Sequence, residues 1–369
     1  MDFEPYKALY IHVPFCQKRC LYCDFDTRAC AADDSCLDSY TEQIIKDIRA
    51  ASRKDLLGLL ETVYIGGGTP TFLGNARLSN ILYTLSLSMH LTPEVECTLE
   101  ANPESLTSAM VKDLFALGVT RISLGVQSFD DDVLKTLGRI HSTQKAKQAI
   151  AIARERFENV SIDLMCGIPG QTMESFAESI ETALALGVKH ISVYPLILEE
   201  GTPFSSMEAQ GVFGFDEDTG AEMMEAAASM LERAGMHRYE VASYAYHGFE
   251  SRHNQAYWTG KPYLGLGPGA VTMKQNCLER IRMKNGAVEE CIDVFQYTAE
   301  DLMLGMRRSA GVSDDHLSQA SILLPGALDV FETLESQGFV EHRNGAWVPT
   351  KRGWLFGNQM YSALLDLAP

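Results

Sequence analysis

The sequence predicts an α/β protein built from repeated strand–helix units and followed by a smaller domain. Short strand-like segments recur along the first half of the chain, and helical patterns lie between them. One helix–turn–strand unit occurs twice with similar letters, as Leu114-Phe-Ala-Leu-Gly-Val-Thr-Arg-Ile-Ser and Leu184-Ala-Leu-Gly-Val-Lys-His-Ile-Ser. These repeats favour a full or partial parallel barrel over the competing architecture, a doubly wound sheet.

Six segments are predicted to be strands buried on both faces of a parallel sheet, because each is a mainly apolar run. They are Ala8–Val13, Thr62–Ile65, Val95–Glu100, Arg121–Val126, Val160–Met165 and His190–Leu196. Helices are predicted at Leu106–Leu117 and Phe176–Leu186, and each stops at a glycine, Gly118 and Gly187.

The C-terminal part of the chain has a different pattern. Helices are predicted at Ala299–Arg308 and Ala327–Gln337, then a hairpin that turns at Arg343-Asn344-Gly345, then a helix from Gly353. This order is typical of a winged-helix-like domain. From Asn285 onward there are 5 basic and 12 acidic residues, so protein packing is favoured over DNA binding. We therefore expect a barrel over residues 1–250, a connecting segment over 251–284 and a C-terminal α+β domain over 285–369.

Composition excludes several classes of protein. The 369 residues are 46% hydrophobic and 22% charged, which excludes a disordered or fibrous chain. The net charge of −18 is a poor match for nucleic acid or for an anionic membrane surface. The N-terminus lacks the features of a signal peptide, and no apolar run is long enough for a transmembrane segment. We expect a cytoplasmic protein.

The strongest motif is a group of cysteines directly after the first predicted strand. Cys16, Cys20 and Cys23 follow one another as Cys-x3-Cys-x2-Cys. Three thiolates on one loop can each bind one iron of a cubane cluster and leave the fourth iron open. Lys18 and Arg19 add positive charge that favours thiolates.

Structural zinc is the alternative metal for these cysteines. It normally needs four protein ligands, often two pairs of cysteines. Cys30 and Cys36 are close in sequence, but their spacing fits no common zinc pattern. The iron–sulfur interpretation is therefore favoured, in a chain whose nine cysteines and missing export signal argue against a disulfide framework.

Other candidate site residues lie near the ends of predicted strands. Gly66-Gly67-Gly68-Thr69 follows the second strand, where glycines allow a ligand to approach the backbone. Glu100, Gln127 and Asp163 lie at or near the carboxyl ends of later strands, which is where barrel sites collect.

The cysteine spacing resembles that of the radical S-adenosylmethionine (SAM) superfamily. The longer match, from Tyr10-Ile-His-Val-Pro-Phe-Cys16 to Cys23-Asp-Phe, resembles one branch, the anaerobic coproporphyrinogen III dehydrogenases and the related heme chaperones called HemW. The resemblance implies a partial (β/α)6 TIM-like barrel, a [4Fe-4S] cluster and SAM bound to its open iron. It also implies that Gly68 and Thr69 contact the SAM amino group, and it assigns further SAM contacts or cofactor-proximal positions to Tyr10, Tyr22, Glu100, Gln127, Arg139 and Asp163.

Within this branch, two features favour the chaperones. The dehydrogenases carry a further cysteine where this chain has Phe25, and they have a long N-terminal arm that this sequence does not show. His253-Asn254-Gln255-Ala256-Tyr257-Trp258 matches the HNxxYW motif of HemW-like proteins, which is linked to heme binding. The motif makes His253 a candidate axial ligand, with Tyr257 and Trp258 packed on the macrocycle. The alternative is that these residues form hydrogen bonds and core contacts.

The resemblance therefore implies a heme chaperone with heme, SAM and a [4Fe-4S] cluster as its cofactors. It would require a heme acceptor protein and a flavodoxin- or ferredoxin-like reductant as partners. Relatives commonly have a histidine where this chain has Val271, so the heme ligand is open. A coproporphyrinogen III dehydrogenase and a zinc-stabilised interaction module are the alternatives.

Overall fold

A twelve-stranded sheet runs through the computed structural model, which describes residues 2–58, 60–89 and 94–369. The strands, in chain order, are β1 Ala8–Val13, β2 Phe15–Cys16, β3 Arg28–Ala29, β4 Thr62–Gly67, β5 Glu96–Ala101, β6 Arg121–Gln127, β7 Asn159–Cys166, β8 His190–Pro195, β9 His237–Arg238, β10 Ser243–Ala245, β11 Tyr263–Leu266, β12 Val271–Gln275, β13 Glu279–Lys284, β14 Ala287–Asp293, β15 Val312–Ser313, β16 Val340–Arg343 and β17 Ala346–Pro349.

The helices surround this sheet and build the C-terminal part of the chain. In chain order they are α1 Cys36–Arg53, α2 Asn75–Ser88, α3 Ser108–Ala116, α4 Asp131–Thr136, α5 Thr143–Arg154, α6 Met173–Ala185, α7 Pro203–Ala209, α8 Glu217–Arg233, α9 Arg252–Trp258, α10 Val294–Gly305, α11 Asp314–Leu323, α12 Ala327–Ser336, α13 Lys351–Leu355 and α14 Gly357–Leu365. Among the described residues, none of these helices is both long and apolar enough to cross a membrane.

The sheet order confirms the predicted partial barrel. The order is β14-β13-β12-β11-β1-β4-β5-β6-β7-β8-β10-β9, and β1, β4, β5, β6, β7 and β8 are parallel neighbours with helices between them. The six predicted strands match these six. The sequence missed β11, which pairs parallel with β1, and the antiparallel meander β12–β14 beyond it.

The parallel strands are largely buried on both faces, as predicted, but the two faces differ in chemistry, which their mainly apolar sequences did not indicate. On β1, Leu9, Ile11 and Val13 join the large apolar core, while Tyr10 and His12 point to the inside of the barrel. The same alternation continues around the sheet, and most of the inward residues carry a polar group. The barrel therefore has a polar interior and an apolar outside that packs against the helices.

Local signals place the helices as predicted. Thr107 caps α3 by accepting from the N–H of Met110, and Thr172 forms a capping box at the start of α6. Both helices end before a glycine with positive φ, Gly118 at 95° and Gly187 at 68°. These caps turn the chain back into β6 and β8 and so set the strand–helix repeat.

The C-terminal part has its own apolar core, which includes Phe331, Trp347 and Met360. A three-stranded sheet of order β15-β17-β16 packs with α10, α11, α12 and α14 around it. The C-terminal part contacts the barrel through a backbone bridge between Glu240 and Arg308. Residues 263–293 belong to the large sheet, while the domain boundaries at 250 and 284 stay a prediction.

Candidate metal and cofactor site

The three clustered cysteines lie in the loop that follows β1 at the carboxyl end of the barrel. β2, which contains Cys16, pairs with β3 and closes this loop. The N–H of Leu21 donates to the carbonyl of Leu137 at 3.1 Å, and the carbonyl of Leu21 accepts from Phe204 at 3.0 Å. The loop is therefore fixed to the segments that follow β6 and β8, and the thiols stay over the barrel mouth.

A hydrogen-bond network joins two of the cysteines across this mouth. Thr69 Oγ1 donates to Cys16 Sγ at 3.5 Å and accepts from Asn102 Nδ2 at 2.8 Å. Arg139 donates from Nη2 to Asn102 Oδ1 at 2.8 Å and from Nη1 to Cys20 Sγ at 3.5 Å. The sequence singled out Thr69 and Arg139 but missed Asn102. Its position directly after β5, at the active rim of a barrel, is the signal that would have found it.

The thiols influence one another's ionisation. Burial raises the pKa of Cys16, and the neighbouring Cys23 and Cys20 raise it further, while Arg139 lowers it. Burial also raises the pKa of Cys23, with Cys20 adding to the rise and Arg19 opposing it. Collecting three thiolates here is costly without cations, because the charges repel in a partly dry site. A bound metal would supply the compensating charge.

The spacing of the sulfur atoms distinguishes between the candidate metals. The sulfurs of Cys16, Cys20 and Cys23 do not all lie within 4.8 Å of one another. One zinc ion with Zn–S bonds of about 2.3 Å would hold its sulfurs roughly 3.8 Å apart. In a cubane cluster each sulfur binds a different iron, so the sulfurs stand further apart. The sulfur positions therefore do not form a mononuclear zinc site. Three cysteines are the number of protein ligands that a [4Fe-4S] cluster with one open iron requires.

The glycine loop at the end of β4 is hydrogen-bonded to the segment that leads into the cysteine loop. Gly68 N–H donates to the Val13 carbonyl and Thr69 N–H to the Phe15 carbonyl, both at 2.8 Å. A Cβ at Gly68 would lie 2.6 Å from the Phe15 oxygen, so only glycine fits. These backbone donors are used inside the protein. The contact of Gly68 and Thr69 with the SAM amino group stays a prediction. Because an amino group donates hydrogen bonds, these residues would have to contact it through acceptor atoms and not through their N–H groups.

Gln127 and Arg139 both lie close to Gly125 of β6. A Cβ at Gly125 would lie 2.9 Å from Asn102 Oδ1 and 3.1 Å from Gln127 Nε2. The absence of that Cβ lets the polar side chains come together above the strand. Gln127 has a φ of 67°, which ends the regular strand there, and Arg139 Nη2 also donates to the Gly125 carbonyl at 2.7 Å.

Glu100 and Asp163 lie inside the barrel below this layer. Glu100 accepts from the Tyr64 hydroxyl at 2.7 Å and from the Gly67 N–H at 2.9 Å. Burial raises the pKa of Glu100. Burial and the charge of Glu100 raise the pKa of Asp163 to about 7, against the opposing effect of Arg121. The two carboxyl groups thus share Arg121 as the cation that lowers the pKa of each.

The predicted aromatic positions, Tyr10 and Tyr22, occupy different layers of the site. The Tyr10 hydroxyl pairs with His12 Nδ1 at 2.9 Å, and His12 Nε2 pairs with the Asp26 carbonyl at 2.9 Å, which ties the barrel interior to the cysteine loop. Tyr22 lies in the loop itself beside Arg139. Burial raises the pKa of Tyr22, while Arg139 lowers it, so the phenol faces a cation.

The HNxxYW motif lies at the opposite, amino end of the barrel. His253 on α9 pairs through Nδ1 with Thr62 Oγ1 at 2.9 Å and through Nε2 with the Tyr257 hydroxyl at 3.2 Å. Its ring stacks on Tyr64 at 5.0 Å between centroids. The residue is only 1% exposed, and burial lowers the pKa of His253 to about 3. The imidazole is therefore neutral and enclosed.

The rest of the motif is also used within the fold. Trp258 Nε1 donates to Glu240 Oε2 at 2.9 Å, and the Arg307 guanidinium lies over the Trp258 ring at 4.5 Å. Val271 begins β12, which lies between β11 and β13 in the large sheet. This geometry favours the alternative in which the motif makes hydrogen bonds and core contacts. A heme role for His253, Tyr257 and Trp258 stays a prediction.

Comparison with known proteins gives a consistent result. The Radical SAM superfamily profile matches residues 10–183, and the HemN C-terminal domain profile matches residues 296–356. The chain is 35% identical to the heme chaperone HemW of Bacillus subtilis (strain 168), over 97% of this chain and 99% of the relative. It is 36% identical to the heme chaperone HemW of Synechocystis, over 83% and 79%.

A solved structure shares the fold. The coproporphyrinogen III oxidase HemN from Escherichia coli, described as a radical SAM enzyme, superposes with a TM-score of 0.81 over 98% of this chain and 90% of the other. The sequence identity is 19%, so this likeness shows the fold alone.

Proposed function

The chain belongs to the HemW branch of the radical SAM proteins, and from this premise we propose that it is a heme chaperone. One observation carries the proposal, namely the similarity to a protein named as a heme chaperone along essentially the full length of both chains. In this function the protein binds heme and passes it to an acceptor protein. The acceptor is identified by its chemistry alone, as a protein that lacks its heme.

Cys16, Cys20 and Cys23 are the proposed ligands of a [4Fe-4S] cluster, and SAM is the proposed ligand of its open iron. The bound cluster, once reduced by a flavodoxin- or ferredoxin-like protein, would supply the one electron that breaks the sulfonium C–S bond of SAM into methionine and a 5′-deoxyadenosyl radical. The three sulfurs do not all lie within 4.8 Å of one another, which favours the cluster over a single zinc ion. The proposed SAM contacts are those expected from the resemblance, at Tyr10, Tyr22, Gly68, Thr69, Glu100, Gln127, Arg139 and Asp163.

Arg139 has the largest role among the residues around the cysteines. Its guanidinium donates to Cys20 Sγ, to Asn102 Oδ1 and to the Gly125 carbonyl. It thereby balances thiolate charge and holds the Asn102–Thr69 connection to Cys16. The SAM carboxylate is the anion that the resemblance assigns to this position, and a planar fork of donors suits a carboxylate.

Coproporphyrinogen III dehydrogenase activity is the second candidate, because the fold matches that of HemN. Phe25, which is 61% exposed beside the cluster loop, replaces the further cysteine of the dehydrogenases. Incubation of the anaerobically reconstituted protein with SAM, reductant and coproporphyrinogen III tests this candidate. We expect no multiple-turnover formation of protoporphyrinogen. Many turnovers would replace the chaperone proposal with the dehydrogenase.

Heme transfer is tested with hemin and an apo b-type cytochrome. We expect the reconstituted protein to bind hemin stoichiometrically and to load the cytochrome faster than an equal concentration of a heme-binding protein outside this branch. Equal loading rates would contradict the chaperone proposal. Dependence of the transfer on a flavodoxin- or ferredoxin-like protein would identify the reductant. The reductant, the acceptor and the cytoplasmic location stay predictions.

The zinc-stabilised module has a simple chemical test. Elemental analysis of anaerobically purified protein should find iron and sulfide in the ratio of a [4Fe-4S] cluster. One zinc per chain at the three cysteines, without iron or sulfide, would favour the interaction module over both radical SAM candidates.

A further inference from the structure

A group of metal-binding side chains lies outside the cofactor site, between β9 and α9. His237 is on β9, and His247 and Glu250 are in the segment that leads into α9. One ligand atom from each lies within 4.8 Å of the other two, and this is the sole group of three or more histidine, cysteine or acidic residues in the described part of the chain that meets this distance. None of the three takes part in the cysteine and SAM site.

The distances are close to those of a mononuclear metal site. Glu250 Oε1 lies 2.9 Å from His237 Nε2 and 3.9 Å from His247 Nδ1. Tetrahedral zinc with bonds of about 2.0–2.2 Å would hold such atoms roughly 3.3 Å apart, so the observed pairs lie on either side of that value. The two imidazole rings are stacked at 4.1 Å. A small rotation of the His247 ring, whose side chain is 90% exposed, brings its nitrogen toward a shared metal.

Two of the three ligands are already held in place by the backbone. Gly248 N–H donates to Glu250 Oε2 at 2.9 Å, which leaves Oε1 directed at the imidazoles. Gly248 has a φ of 87°, a conformation that favours glycine and makes this turn. His237 pairs with Ala245 between β9 and β10. A carboxylate oriented by a second hydrogen bond is typical of metal ligands.

Two arginines lie near the candidate metal ligands, and both are hydrogen-bonded to other groups. His237 and Glu250 line a cavity of about 480 Å³, which Arg252 and Arg308 also line. Both guanidinium groups have other partners: Arg252 Nη1 donates to the Glu94 carbonyl, and Arg308 Nε donates to Gln255 at 2.9 Å. The cavity is wide enough for water to complete the coordination shell.

We propose that His237, His247 and Glu250 bind one divalent transition metal of the zinc class, with water in the remaining position. Two imidazoles and a carboxylate form a donor set that suits zinc. The metal ties β9 to the turn that precedes α9. Because Ser251 caps α9 and its N–H donates to the Tyr239 hydroxyl, the metal braces the entry to the helix that carries the HNxxYW motif.

The experiment compares the full-length chain with His247→Ala and with a matched control, His342→Ala. His342 is also partly exposed beside a carboxylate, Asp314 Oδ1 at 2.8 Å, but it belongs to no group of three ligands in the described part of the chain. Zn²⁺ is counted by equilibrium dialysis of anaerobically reconstituted protein, in which the cluster occupies the cysteines. We expect His247→Ala to bind one equivalent less than the wild type and His342→Ala to match the wild type.

Glu250→Gln and Co²⁺ provide the second measurement. We expect Glu250→Gln to weaken Zn²⁺ binding by more than the ~10–100-fold that loss of an outer-shell partner costs. Co²⁺ should give d–d bands without a thiolate charge-transfer band, and His247→Ala should remove them. Equal zinc equivalents in wild type and His247→Ala, or Co²⁺ bands that survive both substitutions, would overturn the proposal. Such a result leaves the chaperone proposal untouched, because neither histidine belongs to its cofactor site.

Discussion

Both ends of the barrel carry reactive side chains, but the fold uses them differently. At the carboxyl end, Cys16, Cys20 and Cys23 are partly exposed, and the sulfurs of Cys16 and Cys20 each accept a hydrogen bond at 3.5 Å. At the amino end, His253 is 1% exposed, and both of its ring nitrogens have hydrogen-bond partners. The cysteines at the carboxyl end are open to a ligand, whereas the ring nitrogens of His253 at the amino end are already used within the fold.

The comparison teaches that residue type alone does not identify a ligand-binding residue. Histidine is a better-known heme ligand than cysteine, yet the histidine of the motif closes the base of the barrel here. Its backbone N–H also donates to Glu96 Oε1 at 3.1 Å, so even the main chain of this helix is committed. We therefore expect the cluster chemistry at the carboxyl end of the strands, as in other parallel barrels, while His253 stabilises the fold at the amino end.

The first prediction tests whether the cysteine loop at the carboxyl end binds the iron–sulfur cluster. Cys20→Ala should abolish the reconstituted cluster almost completely, because three protein sulfurs are already the minimum for a cubane with one open iron. Iron and sulfide analysis and the visible spectrum measure it. Cys30→Ala is the matched control and should keep the wild-type iron content. If Cys20→Ala retained its iron, the assignment of this loop would fail.

The second prediction tests the network between the cysteines. Arg139→Lys should weaken SAM binding by about 10–100-fold, because one ammonium cannot replace a fork that donates to Cys20, Asn102 and the Gly125 carbonyl. Charged hydrogen bonds of about 1.5–3 kcal/mol correspond to that range. Calorimetric titration with SAM measures it. Arg19→Lys, at an exposed loop position, is the control and should bind SAM like the wild type.

The third prediction tests whether His253 stabilises the fold at the amino end of the barrel. His253→Ala should lower the free energy of unfolding by about 3 kcal/mol, since it leaves a cavity and unpaired hydroxyls on Thr62 and Tyr257. Iron content should not change. Urea denaturation followed by circular dichroism gives the stability, and hemin titration of the same variant gives the heme spectrum.

The hemin titration of that variant decides the role of the motif. Because both ring nitrogens are occupied in the fold, we expect an unchanged heme spectrum and affinity for the folded variant. A folded His253→Ala protein that loses the wild-type heme spectrum would instead support His253 as the axial ligand, and would require the base of the barrel to open.

The fourth prediction uses pH to separate the two ends. Burial lowers the pKa of His253 from its ordinary value of 6.5 to about 3. Between these pH values the unfolded chain binds a proton on His253 and the folded chain does not. Stability should fall as pH drops from 6.5 towards 3, by up to ~1.4 kcal/mol per pH unit. His253→Gln should reduce this dependence, which urea denaturation at pH 6.5 and pH 5 measures.

Asp163 should show the opposite sign. Its pKa is raised from 3.8 to about 7, so the folded protein without SAM holds a proton that the unfolded chain has lost. This contribution to stability is present below pH 4 and is lost as pH rises to about 7. Asp163→Asn should therefore gain stability relative to the wild type at pH 8 but not at pH 4. The same difference at both pH values would contradict the assignment of that pKa.

Local patterns were enough to predict much of the fold. The six parallel strands and the glycine stops at Gly118 and Gly187 follow from runs of apolar residues and from backbone conformation, which are properties of neighbouring residues. β11 could not be found in this way, because Tyr263–Leu266 contains glycine and becomes a strand only by pairing with β1 far away in sequence. The polar interior of the barrel was also missed, since alternation within a short strand is a weak signal.

The sequence by itself determined the cysteine triad and the order of strands and helices, because thiol spacing and hydrophobic periodicity are encoded over a few residues. Only the tertiary structure decided which side chains meet. Asn102 joins Thr69 to Arg139, and His253 enters the base of the barrel, through contacts between residues that are 33 to 191 positions apart. The pairing and curvature of the sheet set such distances, and no local pattern records them.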